Sequence, residues 1–153
     1  MNVNNTNPDA TGLEQLQALL TSGKGAPIGE TLKFRLVEIA DGHAVFEAEP
    51  GPHAYNPIGS VHGGFAATLL DSACGCAVHS KLRADQIYTT LELKTAYHRG
   101  MTTETGTVRA IGSVMMIGRR TAYAEGRLVD AKGRLLASAT STLLLMDRPA
   151  FSG

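Results

Sequence analysis

Two features of one stretch of the chain could act together in catalysis: a pair of glycines after a histidine, and a single aspartate further on. The stretch reads Asn56-Pro-Ile-Gly-Ser-Val-His62-Gly63-Gly64, and Asp71 follows. Glycines let a ligand approach the backbone closely, and amides at the start of a helix lie at the positive end of its dipole. Such amides suit a polarised carbonyl or a developing oxyanion. A plain tight turn into a helix would use the same glycines.

Asp71 is the only acidic residue in the segment over residues 64–82, which is rich in Ala, Leu, Cys and Ser. Burying a carboxylate without partners costs several kcal/mol. A carboxylate in this setting can therefore be a general base or a nucleophile. It can equally be a structural aspartate bonded to Thr68 or Ser72, or lie on a wetter face of the helix.

The spacing between these groups predicts an oligomer. Gly63 and Asp71 are eight positions apart, which is about 12 Å along a helix that rises ~1.5 Å per residue. One substrate carbonyl cannot contact both groups of the same helix. If both act on one substrate, the carboxylate comes from a second copy whose helix runs antiparallel. The spacing therefore predicts a two-fold homodimer with two shared active sites.

Local patterns predict the helices that surround this stretch. Thr11 and Glu14 form a capping-box pattern before leucines at helical spacing, which predicts a short amphipathic helix to about Thr21. The segment over residues 64–82 has small or apolar residues on nearly every side, which predicts a helix that is buried all round.

The remaining patterns predict strands. Alternating residues on either side of the turn signal Asp41-Gly42 predict a β-hairpin over Thr31–Ile39 and His43–Glu49. Long β-branched-rich runs separated by short turns predict four antiparallel strands: Ile87–His98, Thr103–Met116, Arg119–Val129 and Leu135–Met146.

This order of elements predicts an α+β fold with one long curved antiparallel sheet wrapped around the central helix, because that arrangement buries the helix most simply. The short N-terminal helix is additional to this layer pair. We expect a disordered leader over residues 1–10, a single domain over residues 11–147 and a tail over residues 148–153.

Composition limits the classes of function. The chain has 153 residues, of which 43% are hydrophobic, and its 14 basic and 14 acidic side chains cancel. A neutral chain is not expected to bind nucleic acid or an anionic membrane surface. No apolar run approaches the ~18–20 residues that span a bilayer, and the N-terminus lacks the pattern of a secretory signal. We therefore expect a cytoplasmic protein.

The cysteines and histidines predict no metal centre. Cys74 and Cys76 cannot form a disulfide framework or a four-thiolate zinc site, and neither His53 nor His98 has a partner at metal-ligand spacing.

The run HGGFAATLLD, from His62 to Asp71, together with the preceding Asn-Pro-x-Gly, resembles the hotdog-fold acyl-CoA thioesterases of the phenylacetate-degradation (PaaI) type. Gly118-Arg-Arg-Thr-Ala-Tyr-Ala-Glu and the closing GRLLASATSTLLLM are also typical of that family, and the resemblance covers about residues 28–146. It implies a hotdog fold, pairing into dimers and usually tetramers, and hydrolysis of an acyl-CoA to the free acid and coenzyme A. Coenzyme A is then part of the substrate, and no separate cofactor is expected.

The resemblance also implies roles for matching residues. Asp71 would be the nucleophile, or the base that activates water against the thioester carbonyl. The Gly63 amide would form the oxyanion hole, with His62 and Asn56 shaping it and polarising the carbonyl.

A hydroxyl on the strand after the helix would position the water. This chain has Thr89 and Thr90 there, and the alignment favours Thr90. Since neighbouring strand residues face opposite ways, only one of the two can point at the site. Glu92, two positions after Thr90, is expected to share its face and line the acyl pocket.

The coenzyme A phosphates need cations, and Arg119 and Arg120 suit them because guanidinium groups hold phosphate oxygens well. Two arginines at a strand start are also what a solvated edge would carry. Tyr97 is expected either to pack on the coenzyme or to belong to the sheet core. The acyl pocket is expected to use the loop over residues 50–60, the central helix and strand side chains, either within one subunit or across two.

Three functions fit these expectations. The first is an acyl-CoA thioesterase acting on an aromatic or medium-chain acyl group. The second is a hotdog hydratase or dehydratase of acyl thioesters, although its usual motifs are missing from the sequence. The third is a non-catalytic acyl-CoA-binding protein, which would gain little from a carboxylate at position 71.

Overall fold

A six-stranded antiparallel sheet wraps around one long helix in the computed structural model, which describes residue 7 and residues 9–149. The sheet has the strand order β1-β2-β4-β5-β6-β3. This architecture confirms the predicted hotdog fold. The predicted leader and tail lie mostly outside the described residues.

The elements have the following bounds. The helices are α1 (Gly12–Ser22), α2 (Pro27–Leu32) and α3 (Gly63–His79), and two short 3-10 turns span Pro52–Ala54 and Thr103–Thr105. The strands are β1 (Phe34–Ala40), β2 (His43–Ala48), β3 (Gln86–Tyr97), β4 (Val108–Ile117), β5 (Thr121–Asp130) and β6 (Leu135–Asp147). Within the described ranges, none of these helices is long and apolar enough to cross a membrane.

Small residues let α3 lie directly against the sheet. Ala66, Ala73 and Ala77 on the helix are fully buried. Opposite them, β4 carries Gly112, where an added Cβ would lie 2.2 Å from the Ala73 carbonyl oxygen. The helix and the strand are therefore in backbone contact at Ala73. This contact, two residues after Asp71, fixes the distance between α3 and the sheet near that carboxylate.

The N-terminal helix is docked on the end of α3. The capping box of α1 is present as predicted, with Thr11 and Glu14 bonded to each other's backbone amides. The Gly12 amide donates to the Leu82 carbonyl at 3.0 Å. An added Cβ at Gly12 would lie 1.8 Å from the His79 carbonyl oxygen, so α1 contacts the last turn of α3 at backbone distance.

The first strand starts later than predicted, because a short helix precedes it. Pro27 occupies the first turn of α2, where its fixed φ favours a helix. Lys33 ends that helix in the left-handed conformation, with φ of 58°. The alternation of Leu32, Phe34 and Leu36 extends the strand pattern back into α2, which is why the predicted start at residue 31 is wrong.

Strand β3 lies at one edge of the sheet and pairs only with β6. Its pairing register slips between Thr90 and Glu92, so Leu91 forms a β-bulge. The other edge of this 12-residue strand carries backbone groups with no partner strand among the described residues.

Candidate active site

Asp71 lies half-buried in the middle of α3 and is held from the neighbouring strand. The Thr90 hydroxyl donates to Asp71 Oδ1 at 3.0 Å. Thr68 instead donates to the Gly64 carbonyl, so the alternative in which Thr68 holds the Asp71 carboxylate is wrong. In the part of the chain that the structure describes, the second carboxylate oxygen of Asp71 has no hydrogen-bond donor. That oxygen is free to accept a proton or to attack a carbon.

Of the two candidate threonines, only Thr90 contacts the carboxylate. Thr89 is exposed on the opposite face of β3. The alternation of side chains in a strand requires this difference. That Thr90 positions a water molecule stays a prediction.

The other end of the candidate site is the first turn of α3. His62 caps the helix, and its Nδ1 accepts from the Gly64 amide at 2.8 Å. The Tyr97 hydroxyl donates to the Gly63 carbonyl at 2.8 Å. The Gly63 amide itself donates to no group among the described residues. A free amide at the start of a 17-residue helix is a donor suited to an oxyanion.

Asn56 organises the loop that leads to His62. Its Oδ1 accepts from the amides of Ile58 at 3.1 Å and Ser60 at 3.2 Å, and its Nδ2 donates to the Ser60 hydroxyl at 3.1 Å. The side chain therefore closes its own turn. A direct contact of Asn56 with a substrate carbonyl stays a prediction.

A cavity of about 820 Å³ opens beside Asp71. Helix α3 contributes Asp71, Ser72, Cys76 and His79 to its wall, and β3 contributes Tyr88. The opposite wall comes from the N-terminal part of the chain and also includes Lys24 and Arg35. Its apolar side chains are Leu16, Leu19, Leu20, Ile28, Phe34, Leu36 and Phe46. None of the residues over 50–60 of the same protomer lines it, and a contribution of that loop to the acyl pocket stays a prediction.

Comparison with known proteins identifies the family. The family model described as thioesterase superfamily matches residues 58–137, more than half of the chain. The chain belongs to the thioesterase superfamily. Membership confirms, at the level of the family, the predicted thioester hydrolase of PaaI type.

Individual relatives of this thioesterase-superfamily chain agree with that assignment. It is 27% identical, over 78% of its length and 95% of the relative, to a 1,4-dihydroxy-2-naphthoyl-CoA hydrolase of Listeria monocytogenes. It is 28% identical to a mutant of the phenylacetic acid degradation protein PaaI of Thermus thermophilus, with a TM-score of 0.71 over 78% of this chain and 98% of that one. A thioesterase of Haemophilus influenzae shares its fold at 16% identity, with a TM-score of 0.78 over 92% of this chain and 94% of that one.

The other titratable side chains of the wall that contains Asp71 are uncharged at neutral pH. Burial lowers the pKa of His79 to about 4, with Arg148 adding to the effect. Burial raises the pKa of Cys76 to about 12 and that of the Tyr88 hydroxyl above its usual range. His79 Nε2 lies 3.0 Å from Gln15 Oε1, which joins α1 to this wall.

Glu92 does not share the face of Thr90, and the expectation that it does is wrong. Thr90 pairs with Leu143, whereas Glu92 pairs with Thr142, and neighbouring residues of β6 point to opposite faces. The bulge at Leu91 inserts the extra residue that reverses the alternation. Glu92 is exposed, accepts a hydrogen bond from Thr142, and does not line the cavity beside Asp71.

The predicted coenzyme-binding residues are all accessible. Tyr97 is 56% exposed, so the alternative that it belongs to the sheet core is wrong. Arg119 and Arg120 are exposed in the β4–β5 turn, with no ion pair to a described residue. The Arg120 carbonyl accepts from Leu145, which is opposite Tyr88, so the arginines lie at the Thr90 end of the sheet. Contact of these three side chains with coenzyme A stays a prediction.

Proposed function

We propose that the protein hydrolyses an aromatic or medium-chain acyl-CoA to the free acid and coenzyme A. The observation that carries this proposal is Asp71, with one carboxylate oxygen held by Thr90 and the other free, beside a cavity with a largely apolar wall. The activity of the Listeria relative, on a naphthoyl-CoA, favours an aromatic acyl group.

Asp71 can act through either of two mechanisms. As a general base, it takes a proton from water, the hydroxide attacks the thioester carbon, and the carbon–sulfur bond breaks to release the coenzyme thiolate, which is then protonated. As a nucleophile, it attacks the carbon itself, and the carbon–sulfur bond breaks to release the coenzyme thiolate, which is then protonated. Water hydrolyses the resulting mixed anhydride to the free acid and regenerates the Asp71 carboxylate. In both cases negative charge develops on the carbonyl oxygen, and an amide donor stabilises it.

That donor comes from a second copy of the chain. Asp71 contacts β3 at Thr90, and Gly63 contacts β3 at Tyr97, two helical turns away. The free edge of β3 is long and carries exposed apolar groups, with Leu91 and Tyr97 each 56% exposed. Such an edge is a template for pairing with another strand.

Antiparallel pairing of two β3 edges about a two-fold axis completes the site. Directly opposite residues of such a pair point to the same face of the sheet. When Thr90 lies opposite the partner's Tyr97, the Asp71 carboxylate lies beside the partner's Gly63. Each dimer then has two sites, each with the acid of one protomer and the amide of the other. Further pairing of dimers into a homotetramer is expected from the PaaI resemblance.

The test is thiol release from a panel of acyl-CoAs by the wild-type protein and by Asp71→Asn, which keeps the shape of the side chain. Removal of the acid is expected to lower kcat by ~10²-fold or more. Glu92→Gln, an exposed carboxylate on the other face of β3, is the matched control and is expected to keep near-wild-type turnover.

Three outcomes contradict the proposal. Near-wild-type turnover by Asp71→Asn would exclude the assigned acid. Water addition to an unsaturated acyl-CoA, without thiol release, would indicate a hydratase. Binding of acyl-CoA without any turnover would indicate a binding protein.

A further inference from the structure

The wall of the cavity opposite Asp71 lies outside the segment that the family model matches. Its apolar side chains come from α1, α2, β1 and β2, all of which precede the family match that starts at residue 58. The family match therefore does not include half of the surface that an acyl group would contact. The side chains of this cavity therefore have to show which acyl group the protein can recognise.

Tyr88 contributes to this wall a hydroxyl that is left without a protein hydrogen-bond partner among the described residues. Its ring is held by an edge-on contact with His79, at 5.9 Å between ring centres, and His79 is itself bonded to Gln15 of α1. In the described ranges the Tyr88 hydroxyl makes no hydrogen bond. The hydroxyl is protonated at neutral pH and can donate, and burial raises its pKa further above its usual range.

The hydroxyl lies one helical turn beyond the candidate acid. An added Cβ at Gly75 would lie 2.4 Å from the Tyr88 hydroxyl oxygen, so the two groups are in contact. Gly75 follows Asp71 by four positions, which is about 6 Å along the helix axis. If the thioester carbonyl of the substrate lies at Asp71, the Tyr88 hydroxyl lies beside an atom of the acyl group that is about 6 Å from that carbonyl.

We propose that Tyr88 is a specificity-determining residue, whose hydroxyl hydrogen-bonds a polar substituent of the acyl group about 6 Å from the thioester carbonyl. This inference rests on the proposed function, because Asp71 marks the position of the carbonyl. A substrate with an oxygen at that position satisfies the hydroxyl. An acyl group without one covers the hydroxyl and leaves it unpaired in the complex, which disfavours binding of that acyl group.

Three acyl-CoAs that differ by one hydroxyl test the proposal. In 4-hydroxybenzoyl-CoA the hydroxyl oxygen on the ring lies about 6 Å from the carbonyl carbon by bond lengths. In 2-hydroxybenzoyl-CoA the hydroxyl lies next to the carbonyl. Benzoyl-CoA has none. The wild-type protein is expected to favour the 4-hydroxy substrate over both others by about three- to tenfold in kcat/KM, which corresponds to one neutral hydrogen bond.

Tyr88→Phe is expected to abolish this preference, so that the kcat/KM values of the variant for the 4-hydroxy substrate and for benzoyl-CoA become equal. Tyr123→Phe is the matched control, because Tyr123 on β5 does not line the cavity and its loss of a hydroxyl is expected to leave the preference intact. Thermal unfolding of both variants checks that each is folded.

Calorimetric binding of thioether analogues of the three substrates separates this inference from the proposed function, since binding needs no turnover. A 4-hydroxy preference in binding that Tyr88→Phe removes supports the assignment of Tyr88 even if no hydrolysis occurs, and in that case the thioesterase proposal fails alone. Equal affinities of the wild-type protein for the three compounds, or a preference that survives in Tyr88→Phe, would overturn the assignment of Tyr88.

Discussion

The Gly63 amide can be removed without disturbing the backbone, which makes Gly63→Pro a direct test of the oxyanion donor. Gly63 is the first residue of α3, where proline is well tolerated. The preceding residue, His62, has φ of −64° and ψ of 136°, the extended conformation that proline requires before it. The amide donates to no group among the described residues, so its removal breaks no hydrogen bond within the protomer.

The structure also sets the matched control. A Cβ at Gly63 would lie 3.1 Å from the Tyr97 hydroxyl oxygen and from the adjoining ring carbon, so Tyr97 must shift slightly in any variant that carries a side chain here. Gly63→Ala adds this Cβ and keeps the amide, whereas Gly63→Pro adds it and removes the amide. The ratio of the two variants isolates the donor.

Loss of one oxyanion donor is expected to lower kcat by ~10²–10³-fold. We expect Gly63→Pro to show this loss relative to Gly63→Ala, with KM little changed, because the bond strengthens only as charge develops. The assay is thiol release under saturating acyl-CoA, with thermal unfolding as the check on folding. Equal kcat for the proline and alanine variants would refute the assignment of this amide.

Three further predictions concern the support of the site and the core. Thr90→Val removes the donor to the carboxylate and is expected to lower kcat about ten- to hundredfold, whereas Thr89→Val, on the exposed face, is expected to change it little; the reverse order would show that the assignment to Thr90 is wrong. Because burial lowers the pKa of His79 from 6.5 to about 4, the unfolded chain binds an extra proton between these values, so stability is expected to fall as pH falls through this window, by on the order of 3 kcal/mol. Urea unfolding at several pH values measures this loss, and an equal slope in His79→Gln would contradict its cause. Gly112→Ala, whose Cβ would lie 2.2 Å from a helix carbonyl, is expected to cost about 1–3 kcal/mol of unfolding free energy, whereas Gly100→Ala, with open space around it, is the control; equal denaturant midpoints would contradict the close packing.

The elements with local signals are predictable from the sequence. The capping box at Thr11 and Glu14 starts α1, and the Asp41-Gly42 pair makes the hairpin turn, because both signals act within a few residues. The small and apolar faces of α3 also predict its burial against a sheet. Asp71 is conspicuous in the sequence because it is the one acid among those residues.

The bulge at Leu91 has no such local signal. It depends on how β3 pairs with β6, and a one-residue slip moves side chains to the other face. Simple alternation therefore places Glu92 beside Thr90 and misassigns it to the acyl pocket.

The cavity wall cannot be predicted from the sequence for a different reason. It forms where α1 folds back onto α3 and α2 packs on β1, through contacts such as Gly12 with His79 and Gln15 with His79 that join distant parts of the chain. Tyr88 lies in a strand pattern that predicts only burial. Its free hydroxyl acquires a role only because the helices on the other side enclose a cavity around it.

The shared site across two protomers is tested most directly by a mixed dimer of Asp71→Asn and Gly63→Pro subunits, co-expressed with two affinity tags and purified through both. Each subunit alone lacks one of the two groups. In the mixed dimer, one site combines the intact acid of one subunit with the intact amide of the other, so thiol release is expected to recover to about half of the wild-type rate. A mixed dimer no more active than the two parent variants would contradict a site shared between subunits.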